Sequence, residues 1–365
     1  KLIEFTAQAV AKHKAKTGTV RVAVSYDLIS GALKRTYINI ALVTVIAVIL
    51  SVIGAFLLST AITKPVNILA EGVKIAGSGD LNHKIVIKSK NELGLLAGAF
   101  NEMTDDLKRA QKTALEKKAM EKELEIASEL QYSLLPKKFP DMGKYEASAF
   151  YKPAKEIGGD YYDVIPLMAG KFGIVMADVS GKGVPAALIM TMLRGVLNTE
   201  ARLNDDPVRV LINLNNGLLG RVEGNIFATI FYAVLDTAKG AIEMASAGHH
   251  EILVYKSGAA AVESYCPKGA AIGILKGNDF ESRLEKITVN VEPKDNLLLF
   301  TDGISEARAA SGARFGMDRA AESLQKNGGK TCAEIQQGLL RDIEIFTGGE
   351  EQSDDIAVLT VGRTA

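Results

Sequence analysis

The sequence predicts an α+β domain that follows a membrane-spanning helix and a helical connecting segment. Three observations lead to this prediction. A long uncharged apolar run lies near the start of the chain, a stretch with three-four apolar spacing follows it, and short β-rich runs separated by glycine turns fill the part after Pro140. With 365 residues, the chain is longer than one ordinary domain, so two or three folded parts are expected.

The charge balance and the cysteine content give no indication of a nucleic-acid partner or of a cysteine metal site. Lys plus Arg and Asp plus Glu both total 43, so the net charge is zero and gives no reason to expect nucleic-acid binding. The two cysteines, Cys266 and Cys332, have neither metal-ligand nor redox-motif spacing. Free thiols in a reducing compartment are therefore expected.

The apolar run predicts a transmembrane helix over residues 37–58. No residue between Thr36 and Thr63 is charged, and the run reads "YINIALVTVIAVILSVIGAFLL". About 20 helical residues suffice to cross a hydrocarbon layer of roughly 30 Å. A buried core helix is the alternative. A signal peptide is disfavoured because the run is too long, lies too far into the chain and lacks a cleavage pattern.

Residues 1–35 are interpreted as the C-terminal remnant of an extracellular sensor domain. The stretch "TGTVRVAVSY" alternates between apolar and polar residues as a strand does, and a helix follows it. This order resembles the last strand and exit helix of a PAS-like (Cache-type) sensor.

The segment after the apolar run predicts two amphipathic helices joined by an extended connector. The first helix has Pro65 in its first turn, and "GSGDL" ends it. Apolar residues recur at steps of three and four in both helices: Ile62, Val66, Leu69, Val73 and Ala76, then Leu93, Leu96, Phe100, Met103 and Leu107. Two short helices cannot bury such seams alone, so a parallel dimer with a four-helix bundle is expected.

Several short motifs in this segment resemble a HAMP linker, which we assign to residues 60–112. They are Pro65, "GDL" at 79–81, "NELG" at 91–94 and "FNEM" at 100–103. The resemblance implies that a membrane helix drives a change of helix packing on the cytoplasmic side. It therefore implies a protein of the cell membrane, in contact with lipid, with its sensor end outside and everything after the span in the cytoplasm.

Residues 113–139 form a predicted linker helix rich in Lys and Glu. An apolar seam resumes along it at Met120, Leu124, Ala127 and Leu134, and prolines end it. A solvated spacer helix is one interpretation. A dimeric coiled coil that transmits a signal to the next domain is the favoured one, because helices precede it and strands follow.

Residues 140–365 have the pattern of short strands and helices that predicts an α+β domain. Hairpin-like strands with helices inserted in pairs favour this class over a parallel α/β sheet. The predicted strands are 145–152, 161–166, 172–179, 226–235, 242–246, 252–255, 297–301 and 356–361. The predicted helices are 185–203, 207–222, 317–325 and 332–346.

Four predicted strand ends carry acidic residues. They lie in "IGGDYYD" with Asp160, "MADVSGKG" with Asp178, "LLLFTDGISEA" with Asp302 and "EQSDDIAVLTV" with Asp354 and Asp355. Each alone is typical of a turn or a helix cap. Gathered together without Arg or Lys partners, such carboxylates repel one another unless divalent cations hold them. All-oxygen ligands favour Mg²⁺ or Mn²⁺ over Zn²⁺.

Residues from about 120 to 363 resemble the SpoIIE/RsbU branch of the metal-dependent (protein phosphatase 2C-like) Ser/Thr phosphatases. The motifs "LQYSLLP", "GGDYYD", "ADVSGKG", "AGHH", "TDGISEA" and "DDIAVL" occur in the order of that family. The resemblance implies a four-layer sandwich of two antiparallel sheets flanked by helices. It also implies hydrolysis of phosphoserine or phosphothreonine by a water that two Mn²⁺ or Mg²⁺ ions activate. The usual substrates of the family are anti-sigma factor antagonist proteins in partner-switching cascades.

The resemblance also implies roles for individual residues. Asp178 would bridge the two metal ions, and the Val179 carbonyl would reach one of them. Asp302 and Asp354 would hold the other metal. Asp160 would bind a metal or orient its water. Asp163 is left out of the metal set, and Asp355 is expected to support it by hydrogen bonding. Lys155 is a candidate contact for the substrate phosphate, although an ordinary surface lysine is an equal alternative.

The same resemblance bears on how the activity is regulated and on which group protonates the leaving serine or threonine. The helix that opens "GVPAALIMTML" after Gly183 is expected to belong to a switch that completes the metal site. Eukaryotic relatives place a histidine two residues after the bridging aspartate, where this chain has Ser180. The acid for the leaving group is therefore left open.

Two other functions remain in view. A docking or regulatory module on the same fold, with little catalysis, is disfavoured because it has no use for mutually repelling carboxylates. A HAMP-linked nucleotide cyclase would also carry a GGD turn, but Tyr161 and Tyr162 fit it poorly. A histidine kinase is disfavoured because no histidine lies on the helix after the HAMP-like segment.

Overall fold

The computed structural model of the chain describes residues 2–10, 16–220 and 226–365. The chain divides into two compact units, Lys1–Lys117 and Lys118–Ala365. Its helices are α1 (Tyr26–Leu58), α2 (Lys64–Gly77), α3 (Glu92–Leu134), α4 (Val184–Leu203), α5 (Pro207–Leu218), α6 (Gly277–Glu281), α7 (Asp302–Ser305), α8 (Gly316–Asn327) and α9 (Cys332–Thr347).

The first unit begins with an antiparallel hairpin and continues as a long helical rod. The hairpin pairs β1 (Leu2–Val10) with β2 (Lys16–Ser25). Helix α1, a π-helical turn at Ser59–Thr63 and α2 then follow without a break. Within the described residues, one helical stretch, Ser30–Gly77, is long and apolar enough to cross a membrane by its length and composition.

The connector between α2 and α3 packs on both helices. The Asn101 side chain on α3 accepts a hydrogen bond from the Ile85 N–H at 2.9 Å and donates one to the Ile85 carbonyl at 2.8 Å. Gly72 on α2 makes room for the Ile85 side chain, because a Cβ there would lie 2.3 Å from its Cγ1. This arrangement is the helix, connector and helix that the sequence predicts.

The predicted apolar seams of α2 and α3 are about half exposed in the single chain. Val66 and Val73 are each 43% exposed, and Met103 and Leu107 are 55% and 54% exposed. Side chains of this kind in regular three-four spacing require a further surface to bury them.

The second unit contains two five-stranded antiparallel sheets, which confirms the predicted α+β class. The order of the first sheet is β10-β7-β6-β5-β4, and that of the second is β3-β12-β11-β8-β9. The strands are β3 (Tyr145–Lys152), β4 (Tyr161–Pro166), β5 (Lys171–Val179), β6 (Ala228–Asp236), β7 (Ala241–Ala247), β8 (Ile252–Lys256), β9 (Ala261–Tyr265), β10 (Lys286–Asn290), β11 (Asn296–Phe300) and β12 (Ile356–Arg363).

Two layers of helices enclose the sheets, so the unit has four layers. Helices α4 and α5 pack on the first sheet, whereas α8 and α9 pack on the second. The larger hydrophobic core joins the two sheets and the α4–α5 layer. A smaller core lies between the second sheet and the α8–α9 layer. Burial of these apolar faces is the main favourable contribution to the fold.

Most predicted bounds lie within two residues of the observed ones, and two differences are larger. Helix α5 ends at Leu218 instead of residue 222, because Leu219 is extended and Gly220 has a φ of 74°; residues 221–222 lie outside the described part. The strands β1, β9 and β10 and the short helices α6 and α7 were not predicted. Strands β9 and β10 are edge strands with mostly exposed or half-exposed residues, so they lack a strong alternating pattern.

Candidate active site

The four acidic segments meet at one end of the two sheets. In the first sheet, Asp160 directly precedes β4 and Asp178 lies near the end of β5, and these strands pair there through Tyr161 and Ala177. In the second sheet, Asp302 follows β11 and Asp354 precedes β12. These two strands pair at the same end, through Phe300 and Val358. Antiparallel pairing thus brings the end of one strand beside the start of its neighbour.

Asp160 is the most deeply buried of these carboxylates, with 2% of the residue exposed. The Thr301 hydroxyl donates a hydrogen bond to its Oδ2 at 2.6 Å, and the Ala357 N–H donates to that hydroxyl at 3.0 Å. Burial and the nearby charge of Asp178 raise the pKa of Asp160 well above its usual range. The ionised form of this side chain therefore lacks sufficient compensation from the protein.

Asp178 and Asp302 show the same electrostatic strain. Burial and then the charge of Asp302 raise the pKa of Asp178 to about 7, while a hydrogen bond with Asp160 lowers it in part. Burial and the charge of Asp354 raise the pKa of Asp302. The carboxylates of both sheets thus affect one another's ionisation, as they must if they share a site.

The expectation of carboxylates without Arg or Lys partners is wrong for Asp354, because Lys182, which was not among the predicted site residues, lies beside it. The Lys182 ammonium is 3.1 Å from Asp354 Oδ2 and donates a hydrogen bond to the Ser353 carbonyl at 2.6 Å. Lys182 stands between Gly181 and Gly183, which have φ angles of 99° and 77°. The only signal for it in the sequence is its place in "SGKG" directly after the strand that carries Asp178.

Asp355 holds the loop that leads into Asp160, in keeping with its expected supporting role. Its two carboxylate oxygens accept hydrogen bonds from the Ala154 N–H at 2.8 Å and the Gly159 N–H at 2.6 Å. A Cβ at Gly158 would lie 2.2 Å from Asp355 Oδ2, and a Cβ at Gly159 would lie 2.8 Å from the Val179 carbonyl oxygen. The two glycines therefore allow the loop to approach both the aspartate and the end of β5 closely.

The last turns of α3 contact the same loop. The buried Gln131 side chain donates to the Gly158 carbonyl at 2.5 Å and accepts from the Gly158 N–H at 3.1 Å. Gly158 is two residues before Asp160, so the helix is in direct contact with the loop that carries this carboxylate. This contact was not predicted, although "LQYSLLP" marked the segment.

Three other residues from the sequence analysis have defined surroundings. Ser180 accepts a hydrogen bond at its hydroxyl from the Phe227 N–H at 2.9 Å, and its own N–H donates to the Phe227 carbonyl. Asp163 accepts a hydrogen bond from the Tyr161 hydroxyl at 2.8 Å. Lys155 is exposed on the loop before Asp160.

The chemistry of this end fits divalent cations, although the side chains do not form a closed metal site. Among the residues that the structure describes, no group of three or more His, Cys, Asp or Glu side chains is placed to hold a metal ion. The donor set nevertheless consists of oxygen ligands, and burial together with the charge of neighbouring carboxylates raises the pKa values of Asp160, Asp178 and Asp302. Hard divalent cations prefer such ligands and would relieve the repulsion.

Two curated proteins are similar to this chain in sequence. Protein IcfG of Synechocystis sp. is 27% identical over 82% of this chain and 51% of its own length. Phosphoserine phosphatase RsbU of Bacillus subtilis is 33% identical over 52% of this chain and 55% of its own length. The chain thus spans about half the length of these two curated relatives.

Solved structures show the same architecture. The SiaA-PP2C domain of Pseudomonas aeruginosa superposes with a TM-score of 0.59 at 24% identity, covering 69% of this chain and all of that domain. The PP2C phosphatase domain of SpoIIE from Bacillus subtilis, with a fragment of its regulatory domain, gives a TM-score of 0.52 at 19% identity, covering 62% of this chain and 64% of that one. At these identities the likeness concerns the fold.

Two family models match the sequence itself. Residues 57–109 match the HAMP domain, and residues 168–364 match stage II sporulation protein E (SpoIIE). The SpoIIE match covers more than half of the 365 residues, and the two sheets with their acidic end have the architecture of the PP2C phosphatase domains. The chain therefore belongs to the SpoIIE family.

Proposed function

We propose that this chain is a membrane-anchored, metal-dependent protein phosphatase that hydrolyses phosphoserine or phosphothreonine on a partner protein. The observation that carries the proposal is the convergence of Asp160, Asp178 and Asp302, whose pKa values are raised by burial and by the charge of neighbouring carboxylates. The relative RsbU, named a phosphoserine phosphatase, supports the substrate class. An anti-sigma factor antagonist of a partner-switching cascade is the partner that we propose.

In this proposal, four carboxylates and one carbonyl would hold two Mn²⁺ or Mg²⁺ ions: Asp160, Asp178, Asp302, Asp354 and the Val179 carbonyl. The bound cations would supply Lewis-acid activation of a water nucleophile and neutralise charge on the phosphoryl group. Thr301 fixes the Asp160 carboxyl through its hydroxyl. Lys155, exposed on the loop before Asp160, is the proposed contact for the substrate phosphate.

The acid for the leaving group is not assigned to Ser180. Its hydroxyl accepts a hydrogen bond from the Phe227 N–H and thereby closes the end of the β5–β6 pair. This contact supports a structural role for the side chain. Solvent at the exposed rim of the site is the proposed proton source.

The cyclase alternative has little support from the local backbone. The segment Gly158–Asp160 lies in a loop held by Asp355 and Gln131, and β4 then pairs with β5. The GGD sequence is therefore not the turn of a hairpin, as a cyclase of the GGD type requires. The docking-module alternative remains an outcome of the experiment below.

We further propose the domain division, the dimer and the membrane topology. The sensor remnant occupies residues 1–35, the membrane span 37–58, the HAMP linker 60–112, the linker helix 113–139 and the phosphatase domain 140–365. The half-exposed seams of α2 and α3 support a parallel homodimer. The HAMP match supports an orientation with the sensor end outside and the phosphatase in the cytoplasm.

Control by the membrane end would pass through α3. This helix runs without interruption from Glu92 to Leu134, and Gln131 near its end contacts the loop before Asp160. A rotation of α3 would therefore move Gln131 and displace the loop that it contacts. Helix α4, which starts after Gly183 beside the carboxylates, is the proposed switch element.

The proposed function is tested by phosphate release from a phosphorylated anti-sigma factor antagonist and from p-nitrophenyl phosphate. The purified full chain, reconstituted in lipid nanodiscs, is assayed with Mn²⁺ and with EDTA. We expect release that requires the metal and that Asp178→Asn abolishes. Absence of release from both substrates at saturating Mn²⁺ would contradict catalysis and favour the docking module.

A further inference from the structure

A buried histidine joins the two sheets at their acidic end. His249, in the turn after β7, is 4% exposed, and both nitrogens of its ring have partners. Nδ1 lies 3.1 Å from the Thr229 hydroxyl on β6, and Nε2 lies 3.1 Å from the Phe300 carbonyl at the end of β11. Strands β6 and β11 belong to different sheets.

The partners determine which nitrogen carries the proton. A carbonyl oxygen can only accept, so Nε2–H donates to Phe300. Burial, together with the adjacent His250, lowers the pKa of His249 well below its usual range, so that the ring is neutral. Nδ1 then has a free lone pair and accepts the hydrogen of the Thr229 hydroxyl.

Each partner of His249 stands next to a candidate metal ligand. Thr229 is directly opposite Asp178 in the β5–β6 pair, and opposite residues of an antiparallel pair project to the same face. Phe300 is two residues before Asp302. The pairing of β11 with β8 ends at Leu298, so the Phe300 carbonyl lies beyond that ladder and receives its hydrogen bond from His249.

The position of the ring is itself fixed by the turn. The Ser246 hydroxyl accepts from the His249 N–H and donates to the His249 carbonyl, both at 3.0 Å. Gly248 has a φ of 76°, and a Cβ there would lie 2.8 Å from the Ala271 nitrogen. The turn therefore admits little displacement of the ring.

We propose that His249 is a positioning residue that sets the separation between the Asp178 and Asp302 ends of the two sheets. The inference rests on the proposed function, since that separation matters most if both carboxylates hold divalent cations. Groups that orient metal ligands typically contribute about 10- to 100-fold to metal affinity or activity. We therefore expect loss of the bridge to weaken cation binding by about that factor.

The test is Mn²⁺ binding to the full chain in nanodiscs, measured by isothermal titration calorimetry without substrate. His249→Phe keeps a ring but removes both hydrogen bonds, and we expect its Kd to rise at least about 10-fold. His249→Gln retains an amide donor for Phe300, and we expect it to recover part of the affinity. Thr229→Val removes one of the two bonds and is expected to lie between the wild type and His249→Phe.

His250→Phe is the matched control. The His250 ring stacks on that of His249, with 4.4 Å between the ring centroids. Its Nδ1 bonds to the carbonyl of the next residue, Glu251, at 2.8 Å, and its Nε2 has no hydrogen-bond partner among the described residues. We expect its Kd to stay within about threefold of the wild type, far below the 10- to 100-fold effect of losing an orienting group. An equal weakening in His250→Phe would overturn the inference, because any repacking of this corner would then have the same effect.

Two further outcomes would also overturn it. One is an unchanged Kd in folded His249→Phe. The other, if His249→Phe does not fold, is an unchanged Kd in Thr229→Val. Failure of this inference is distinct from failure of the proposed function: in the first case the wild type still binds Mn²⁺ and releases phosphate, whereas in the second it does neither.

Discussion

Two buried aspartates of the second unit, Asp160 and Asp295, are almost equally inaccessible, at 2% and 1% exposure. Their pKa values nevertheless shift in opposite directions. Burial alone would raise the pKa of Asp295, but hydrogen bonds from Lys256 at 2.6 Å, the Ser257 N–H at 2.8 Å and the Glu292 N–H at 3.0 Å outweigh it and lower the value. Asp160 has one hydroxyl donor and carboxylate neighbours, and its pKa is raised.

The difference separates a carboxylate whose charge the fold compensates from one whose charge it does not. Hydrogen bonds from within the fold compensate the charge of Asp295, so this carboxylate does not need a bound cation. The charge of Asp160 is compensated poorly, which a fold selected for stability alone would avoid. A buried aspartate therefore indicates a cation site only when its neighbours fail to neutralise it.

The largest expected effect concerns catalysis. We expect Asp178→Asn or Asp302→Asn to leave a folded chain whose phosphatase activity is reduced at least about 100-fold, because activation of the water nucleophile is lost. Phosphate release at saturating Mn²⁺ measures the effect. Asp163→Asn is the matched control and should keep most of the activity, since Asp163 bonds to Tyr161 outside the carboxylate set. Undiminished turnover in either site variant would refute the assignment.

The next effect concerns coupling through α3. One alanine inserted between Lys117 and Lys118 turns everything downstream by about 100°. We expect basal activity to change by about tenfold in either direction, within the usual range of allosteric coupling. Seven inserted residues leave only about 20° of drift and should return activity towards the wild-type value. A flat series over one to seven insertions would mean that the linker is a passive tether.

A smaller effect on stability sharpens the comparison itself. In the metal-free chain, we expect Asp160→Asn to raise the Tm and Asp295→Asn to lower it, each by about 4 °C or more. A change of 1 kcal/mol shifts the Tm of a domain of this size by about 2–4 °C. Differential scanning calorimetry of both variants in EDTA decides. Destabilisation by both substitutions would show that Asp160 is structural in the same way as Asp295.

The contributions of Asp160 and Asp295 to stability are expected to depend on pH in opposite directions. The pKa values of Asp160 and Asp178 are raised in the folded state, so their contribution to stability is present below the ordinary value of 3.8 and is lost as the pH rises towards 7 and above. Asp295 has a lowered pKa and contributes stability above 3.8 that is lost in acid. The Tm of metal-free Asp160→Asn should therefore fall less between pH 4 and pH 7 than that of the wild type.

The smallest effect is expected at Ser180. Its hydroxyl accepts a hydrogen bond from the Phe227 N–H, and the proposed function assigns the leaving-group acid to solvent instead. We expect Ser180→Ala to reduce kcat by less than about tenfold, below the usual range for loss of general acid catalysis. A loss as large as that of Asp178→Asn would assign the hydroxyl a direct part in the reaction.

Much of the fold could be predicted because its signals are local. Strands β3 and β4 were predicted with their observed bounds, since each combines alternating or continuous apolar residues with flanking glycine or proline. Strands β9 and β10 were missed because edge strands with exposed side chains carry little pattern. The end of α5 was misplaced because its apolar spacing continues past the residue where the backbone turns.

The candidate site could be predicted only in part, for a different reason. Acidic residues at strand ends are visible in the sequence, so the convergence of Asp160, Asp178, Asp302 and Asp354 on one end of the sheets was anticipated. The roles of Gln131, Lys182 and His249 were not. Each depends on a partner between 27 and 171 residues away, which no local spacing reveals.

Direct measurement of Mn²⁺ binding to the full chain tests the central claim most simply. The experiment is calorimetric titration of the wild type, Asp178→Asn and Asp295→Asn in nanodiscs, without substrate. Because the proposed function places cations at the Asp160–Asp178 end, we expect saturable binding that Asp178→Asn abolishes and Asp295→Asn preserves. A wild type that binds no Mn²⁺, or an Asp178→Asn variant that binds it as tightly as the wild type, would contradict the account.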